Sequence, residues 1–332
     1  NNNIIMSAIA LRSPQYKTIT AGLNAAYATC SITIEGAATP QYVLRKTTSP
    51  NAPVLFEISE LCLDFLDAGF DGDYSPATPV QTLSISTVVN DYTSANALIN
   101  STTFTDIGYD AYGDFMYGAN PVVPFMPPLV SNRPRWLIST NPVNYNQYYI
   151  YVPNNTEGFL PYMDINAVLN YQSFSSSATQ INAGGGLQPV DIIRIDCTKY
   201  GNGHKITFVN KFGALQDIWF FLKSVNTTSK KSENYQRNII SSTGTYNVNQ
   251  HTKQVYNTIA NTSVSLSSGF YPEWANQWFE QLLLSEKVWL TRPNPFNPTV
   301  DEVVPVNVKK SSMVKKTVLN NKLIEYTFDF DM

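Results

Sequence analysis

Charge is scarce in this sequence. Lys, Arg, Asp and Glu make up 14% of 332 residues and sum to −3, where a typical globular chain is about 25% charged. The polar surface must then be built from Asn, Ser, Thr, Gln and Tyr, which suits a subunit of an assembly or a protein outside the cell better than a free cytosolic enzyme. A near-neutral chain is a poor match for nucleic acid as main partner, because neutralising phosphates takes a basic surface. Histidine is scarcer still: His204 and His251 are the only two, which leaves little for imidazole-based metal or acid–base sites. Cys30, Cys62 and Cys197 are odd in number, widely spaced and form no CxxC pair. Buried free thiols are the expectation; a disulfide between two of them would need an oxidising compartment. No run of about 18 apolar residues occurs, so no membrane insertion through a helix is expected. The opening Asn1-Asn2-Asn3-Ile4-Ile5-Met6 has neither a basic segment nor a long apolar stretch, so no signal peptide is expected.

What is present is β-sheet patterning. The length predicts about two domains. In Ala25–Glu35, Tyr27, Thr29, Ser31 and Thr33 alternate with Ala28, Cys30, Ile32 and Ile34, the period of a half-buried strand. Further strands are predicted at Tyr42–Leu44, Val54–Ile58 and Gln81–Val89. Ser59 is placed to cap a short helix running to Asp67. From 101 the pattern changes. Phe104, Tyr109, Tyr112, Phe115 and Tyr117 are punctuated by Gly, Asp and Asn, and Pro121, Pro124, Pro127 and Pro128 forbid a central strand. This reads as a long aromatic loop or arm. Strand resumes at Trp136–Ile138 and Tyr148–Val152, and Ser173–Gly186 reads as a linker or exposed loop.

The second half reads as a β-meander: Asp191–Cys197 turning at Tyr200–Gly203 into Lys205–Val209, then Lys211-Phe212-Gly213 into Leu215–Leu222. Ser224–Asn238 reads as a mobile polar loop, and Thr245–Ser268 as long exposed strands. Pro272–Glu286 is the one convincing amphipathic helix, with Trp274, Trp278 and Leu282 on one face. Asn320-Asn321 suits a tight hairpin turn into Leu323–Phe330, where Ile324, Tyr326, Phe328 and Phe330 share a side. The expectation is a mainly β chain: two β-sandwich-like domains with long loops and one amphipathic helix. The division is an N-terminal domain over 1–100, a loop or arm region with a few strands over 101–186, and a C-terminal β-domain over 187–332 with its helix at about 272–286.

No constellation of side chains carries catalysis. Asp67, Asp71 and Asp73 resemble calcium-loop acids but lack EF-hand spacing and its terminal Glu, and Asp106, Asp110 and Asp114 sit among Gly and aromatics; both sets read as loop acids. Cys197 and His204 could form a nucleophile pair across a hairpin, but a core-strand cysteine and a turn histidine explain both positions. His251 reads as a surface residue. Glu57 and Glu60 would need a set separation across a cleft to act as glycosidase carboxylates. Gly184-Gly185-Gly186 follows no strand and precedes no GK[ST], so it is not a phosphate loop. The Asn-X-Ser/Thr sequons arise by chance in a chain this rich in Asn and Thr. Lys309, Lys310, Lys315, Lys316 and Lys322 read as a solvated, edge-protecting face. The aromatics at 104–117 could form an interface core, stack on sugar rings, or cover a satellite core. No catalytic, cofactor-binding or metal-ligating residue is assigned, and no cofactor.

Five stretches resemble tail-associated virion structural proteins of tailed bacteriophages of marine and gut bacteria. They are Ile9–Tyr16 (IALRSPQY), Phe56–Phe65 (FEISELCLDF), Ile206–Phe221 (ITFVNKFGALQDIWFF), Gln281–Glu286 (QLLLSE) and Leu323–Phe330 (LIEYTFDF). The resemblance is to a pattern of strands and turns spread over about half the chain. It implies a non-enzymatic virion part of β-domains, made in the host cytoplasm and released by lysis, whose partners are other virion proteins and copies of itself. Low charge, abundant Asn, Thr and Tyr, and extended arms that can add to a neighbour's sheet agree with such a part. The alternative is a carbohydrate-binding β-sandwich that attaches to host-surface glycans. A glycan-degrading enzyme would need two acids converging in a cleft.

Overall fold

Alternating burial builds the first sheet. In the computed structural model, which describes residues 7–74, 82–112, 134–139, 148–164, 168–182, 186–196, 203–238, 240–245, 248–294, 296–297, 300–309, 312–315 and 323–332, the chain begins with β1 (Ser7–Ala10), β2 (Tyr16–Thr20), β3 (Tyr27–Ile34), β4 (Tyr42–Thr47), β5 (Pro53–Glu57), α1 (Ser59–Leu63), β6 (Thr82–Tyr92) and β7 (Leu98–Tyr109). Five strands form a sheet in the order β1-β7-β6-β3-β4, parallel at β1–β7 and antiparallel elsewhere. Ala28, Cys30, Ile32 and Ile34 of β3 and Leu83, Ile85 and Val89 of β6 point to one side. There they meet Val54 and Phe56 of the β2–β5 ladder, and Ile58 and Cys62 at α1. The expected sandwich-like layering is present in this unit.

Its boundary differs from the expected one at 100. β7 continues through Phe104 to Tyr109, so the aromatics expected in a loop from 101 begin in a sheet strand. Gly108 is no turn residue. A Cβ there would stand 2.6 Å from Leu11 Cδ1 and 2.9 Å from Ile85 Cδ1, so the glycine serves close packing within a strand. Asp91, fully buried, holds the bulge at Asp91/Tyr92: its carboxylate accepts the N–H groups of Gly22 and Asn100, each at 2.6 Å.

The middle of the chain supplies β8 (Arg135–Trp136), β9 (Tyr148–Pro153), β10 (Gly158–Met163), β11 (Leu169–Phe174), β12 (Gln180–Ile181) and β13 (Val190–Ile195). These make two three-stranded sheets, β11-β10-β8 and β12-β13-β9, around Trp136, Ile138, Val152, Leu160, Phe174 and Val190. Of the expected linker or exposed loop at Ser173–Gly186, the described part is a turn over 175–179, largely exposed, between β11 and β12, and not a linker between domains. Arg194 reaches back from β13 and donates to the carbonyls of Pro153, Thr156, Ser175 and Ala178, fixing that turn against the sheet. The proline-rich stretch with Phe115 and Tyr117 lies outside the described residues.

The last part contains β14 (His204–Val209), β15 (Leu215–Phe220), β16 (Ser224–Gln236), β17 (Lys253–Ser267), β18 (Tyr271–Pro272), a 3-10 turn (Glu273–Ala275), α2 (Asn276–Leu284), β19 (Val288–Pro293), β20 (Asp301–Val308), β21 (Leu323–Ile324) and β22 (Thr327–Asp331). The meander expectation is half right. β14 and β15 form a hairpin through Lys211–Gly213, where Asn210 Oδ1 accepts the N–H groups of Phe212 and Ala214. β13, however, runs parallel to β9 and does not pair with β14. The order β15-β14-β19-β20-β22-β17-β16 returns on itself, because β15 leads directly into β16. Leu222 N–H bonds to Ser267 O at 3.2 Å, and Ser267 N–H to Lys223 O at 3.0 Å. The run Leu215–Gln236 thus pairs with β14 in its first half and β17 in its second, making a barrel-like closure that covers its edges. Inside lie Ile206, Phe208, Phe220, Leu266, Leu290, Phe328 and Phe330, with Trp278, Phe279 and Leu282 of α2 packed against them. The helix is shorter than expected, opening as a 3-10 turn after Pro272. Ile324, Tyr326, Phe328 and Phe330 are all buried, as their alternation predicts. The Asn320-Asn321 turn lies outside the described residues. The expected loop at Ser224–Asn238 is instead strand β16.

Candidate functional site

Most of the described acids singled out in the sequence have structural partners. Asp106 lies within β7, not in a loop, and forms a buried ion pair with Lys17 of β2 at 2.5 Å. Asp110 is buried and paired to Arg12, which also reaches Glu286 at 2.7 Å. Both tie the strands at the start of the chain to later ones; Asp114 lies outside the described residues. Glu57 accepts the N–H of Gln15 at 3.2 Å and of Ser59 at 2.8 Å, with the Ser59 hydroxyl alongside. It caps the entry to α1 in place of the expected Ser59, and Glu60 is exposed, so the two do not face across a cleft. Asp67 pairs with Lys287 at 2.8 Å, and Asp71 accepts the N–H of Asp73 at 3.0 Å, a local turn.

Cys30 and Cys62 are fully buried and unbridged. Burial pushes their thiols up to about 11 and about 12, the range of inert core cysteines. Cys197 lies outside the described residues. His204, half-buried at the start of β14, has its pKa lowered from 6.5 by burial. The unfolded chain binds that proton more tightly than the folded one, so stability rises with pH up to about 6.5 and falls below it. Denaturant midpoints taken between pH 5 and pH 7.5 should fall more steeply toward acid for the natural chain than for His204→Gln. Equal slopes would remove His204 from the pH dependence.

The aromatics at 104–117 offer no open stacking face where they are described. Phe104 is half-buried with Lys17 Nζ 5.3 Å from its ring centre, Tyr109 is fully buried, and Arg12 lies 5.3 Å from the centre of the half-buried Tyr112 ring. A buried polar cluster does exist where the parts meet. Tyr74 OH donates to Asp217 at 2.6 Å, Thr207 Oγ1 donates to Asp217 at 2.7 Å, and Lys205 Nζ stands 3.2 Å from Tyr74 OH. Phe70, Phe159 and Tyr171 pack around Tyr74. Burial and the Asp217 carboxylate hold the Tyr74 hydroxyl protonated well above its usual range. The cavity beside Asp217, between Leu160, Trp219 and Trp278, has about 30 Å³. That is room for about two waters, far short of the ~300 Å³ or more of an ordinary ligand site.

The feature that reaches outward is a ribbon. β22 accompanies β17 only over Ser263–Ser267. Beyond it, β16 and β17 pair with each other alone, from Thr228↔Thr262 to Gln236↔Lys253, extending about 30 Å at ~3.4 Å per residue. Every residue of β16 is exposed. Val255, Tyr256 and Ile259 of β17 are 51%, 65% and 53% exposed. Within the ribbon, Tyr235 and Tyr256 lie 6.3 Å apart and Tyr235 OH donates to Gln254 at 2.6 Å. A two-stranded hairpin with both faces in water is only marginally stable, and its edges are open templates for pairing. Sequence reasoning missed β16 because a strand exposed on both faces has no alternation of apolar and polar residues. The signal present was its β-branched, alternating partner over 245–268. His251 is exposed near the ribbon's far end. Lys309 and Lys315, from the expected basic face, pair with Asp331 and Glu280.

Comparison with protein-family models, with curated proteins and with solved structures finds no match for this chain.

Proposed function

We propose that this chain is a non-enzymatic structural component of a bacteriophage virion, in the ring, hub or baseplate region of the tail, acting through protein–protein interfaces. The observation that carries the reading is the ribbon of β16 and β17: two strands with open edges and exposed apolar side chains, anchored in a closed barrel. Such an element gains its stability by adding to or being covered by a neighbour. The low charge and the resemblance of the five stretches to tail-associated proteins support the same reading. The carbohydrate-binding alternative stood on aromatics of which Phe104, Tyr109 and Tyr112 are taken up by the fold.

Light scattering after size exclusion, over a range of concentrations, tests it. The full chain should form a discrete oligomer. A variant in which Thr228 and Thr262 are joined by a short turn should remain a smaller species. Equal masses for the two at every concentration would remove the ribbon as the assembly element.

A further inference from the structure

We infer that the ribbon of one copy docks on the acidic face around α1 of a second copy, head to tail. The inference deepens the assembly reading and rests on it.

The charges of this nearly neutral chain are segregated. The ribbon carries Lys230, Lys231, Arg237 and Lys253 against one carboxylate, Glu233, and all five are exposed. Around α1 the balance reverses. No Lys or Arg occurs from Thr47 to Asn132. Of the acids in that stretch, Asp91, Asp106 and Asp110 are buried and face partners within the fold. Glu60, Asp64, Asp67, Asp71 and Asp73 are exposed on α1 and the loop that follows it, and Lys287 pairs with Asp67 among them. Phe65, 38% exposed, lies in the same stretch of chain and matches the apolar Val255, Tyr256 and Ile259 of the ribbon, while Lys46, bonded to the Leu55 carbonyl at 2.6 Å, marks the basic border of the face.

The ribbon does not reach this face within its own chain, because every residue of β16 is exposed. The match is therefore open to a second copy. The two surfaces differ, so the contact is heterologous, and repeating it gives either a closed ring or an open filament. Opposite net charge on the two surfaces speeds encounter and disfavours ribbon-to-ribbon and face-to-face contacts, where like charges would meet. Because the charges are exposed, the contact weakens as salt rises.

The test uses full-length chains in sedimentation and light scattering at low and high salt. K230E/K231E makes the ribbon net acidic; E60K/D64K reverses both acids at α1 and cancels the net negative charge of the face. All four positions are exposed, so the fold should survive, which circular dichroism checks. Each variant alone should self-associate about tenfold or more weakly than the natural chain. An equimolar mixture should recover association, since the acidic ribbon of one variant then meets the lysines placed at α1 of the other, and the basic ribbon of the second meets the unchanged acids of the first. The chain carrying all four changes should associate like the natural one, which excludes misfolding as the cause of the losses. Oligomers that persist in both variants at low salt would overturn the inference, as would losses that neither mixing nor the fourfold change restores. Persistent oligomers would leave the assembly reading standing. A natural chain that is monomeric at every salt concentration would also overturn the inference, and would confine assembly to other virion proteins. Loss in K230E/K231E but not in E60K/D64K would overturn it too, by sending the ribbon to a different acidic partner.

Discussion

Lys17→Met should destabilise the N-terminal unit by about 3–5 kcal/mol, the cost of leaving a buried charge without its partner. Lys17 is 9% exposed and Asp106 3%, and their charged atoms lie 2.5 Å apart between β2 and β7. The pair joins the ladder above the core to the five-stranded sheet below it. Met keeps the volume of the lysine stem against the Phe104 ring, so the loss is electrostatic and not steric. The control is the double change Lys17→Met/Asp106→Leu, which removes both charges and should recover most of the loss. The readout must see this half of the molecule. All five tryptophans lie between Trp136 and Trp289, so far-UV circular dichroism or hydrogen exchange of the β6 and β7 amides is the measurement. A single-variant loss under about 1 kcal/mol would mean that Asp106 escapes the cost by taking up a proton or water.

Phe279→Ala should cost the C-terminal barrel about 3–5 kcal/mol. Phe279 is fully buried where α2 meets the sheet, and its ring lies 5.1 to 6.2 Å from those of Tyr326, Tyr271, Phe328 and Phe220. These neighbours come from separate parts of the barrel and cannot all move in to fill the space, so a cavity remains. Phe279→Leu should fall well short of that loss because it leaves a smaller void. Trp274 and Trp278 flank the site and stand 4.9 Å apart, so tryptophan fluorescence against denaturant reads this unit directly. An unchanged midpoint would show that α2 is not part of the barrel's cooperative core.

These two predictions differ in how far the sequence announces them. Phe279 belongs to a helical pattern legible from residue spacing alone, as does Phe328 to a strand pattern. Lys17 and Asp106 look unremarkable in sequence, a lysine in a polar strand and an aspartate among turn-forming residues. Their importance arises only because residues 89 apart in sequence meet inside a sandwich. The ribbon is a third kind of case. Its strand β16 is polar throughout, and local composition reads that as loop, while backbone pairing with β17 makes it strand.

Sequence alone determined the class of the fold and its inner faces. Alternation placed Cys30 and Ile32, Leu83 and Ile85, and Tyr326, Phe328 and Phe330 inside, because side chains on a strand alternate between faces and water separates the two by polarity. The helix near the end was legible for the same reason, with a different period. Only the tertiary structure decided which strands are neighbours. The parallel pairs β1–β7 and β9–β13, and the closure of the last sheet through the continuous run from β15 into β16, join residues far apart in the chain. Strand pairing is made by backbone groups that every residue but proline carries, so which strands are partners leaves no mark in the local sequence. The same closure leaves β16 and β17 protruding, and so it was the fold, and not the composition, that put a ribbon with open edges on the surface.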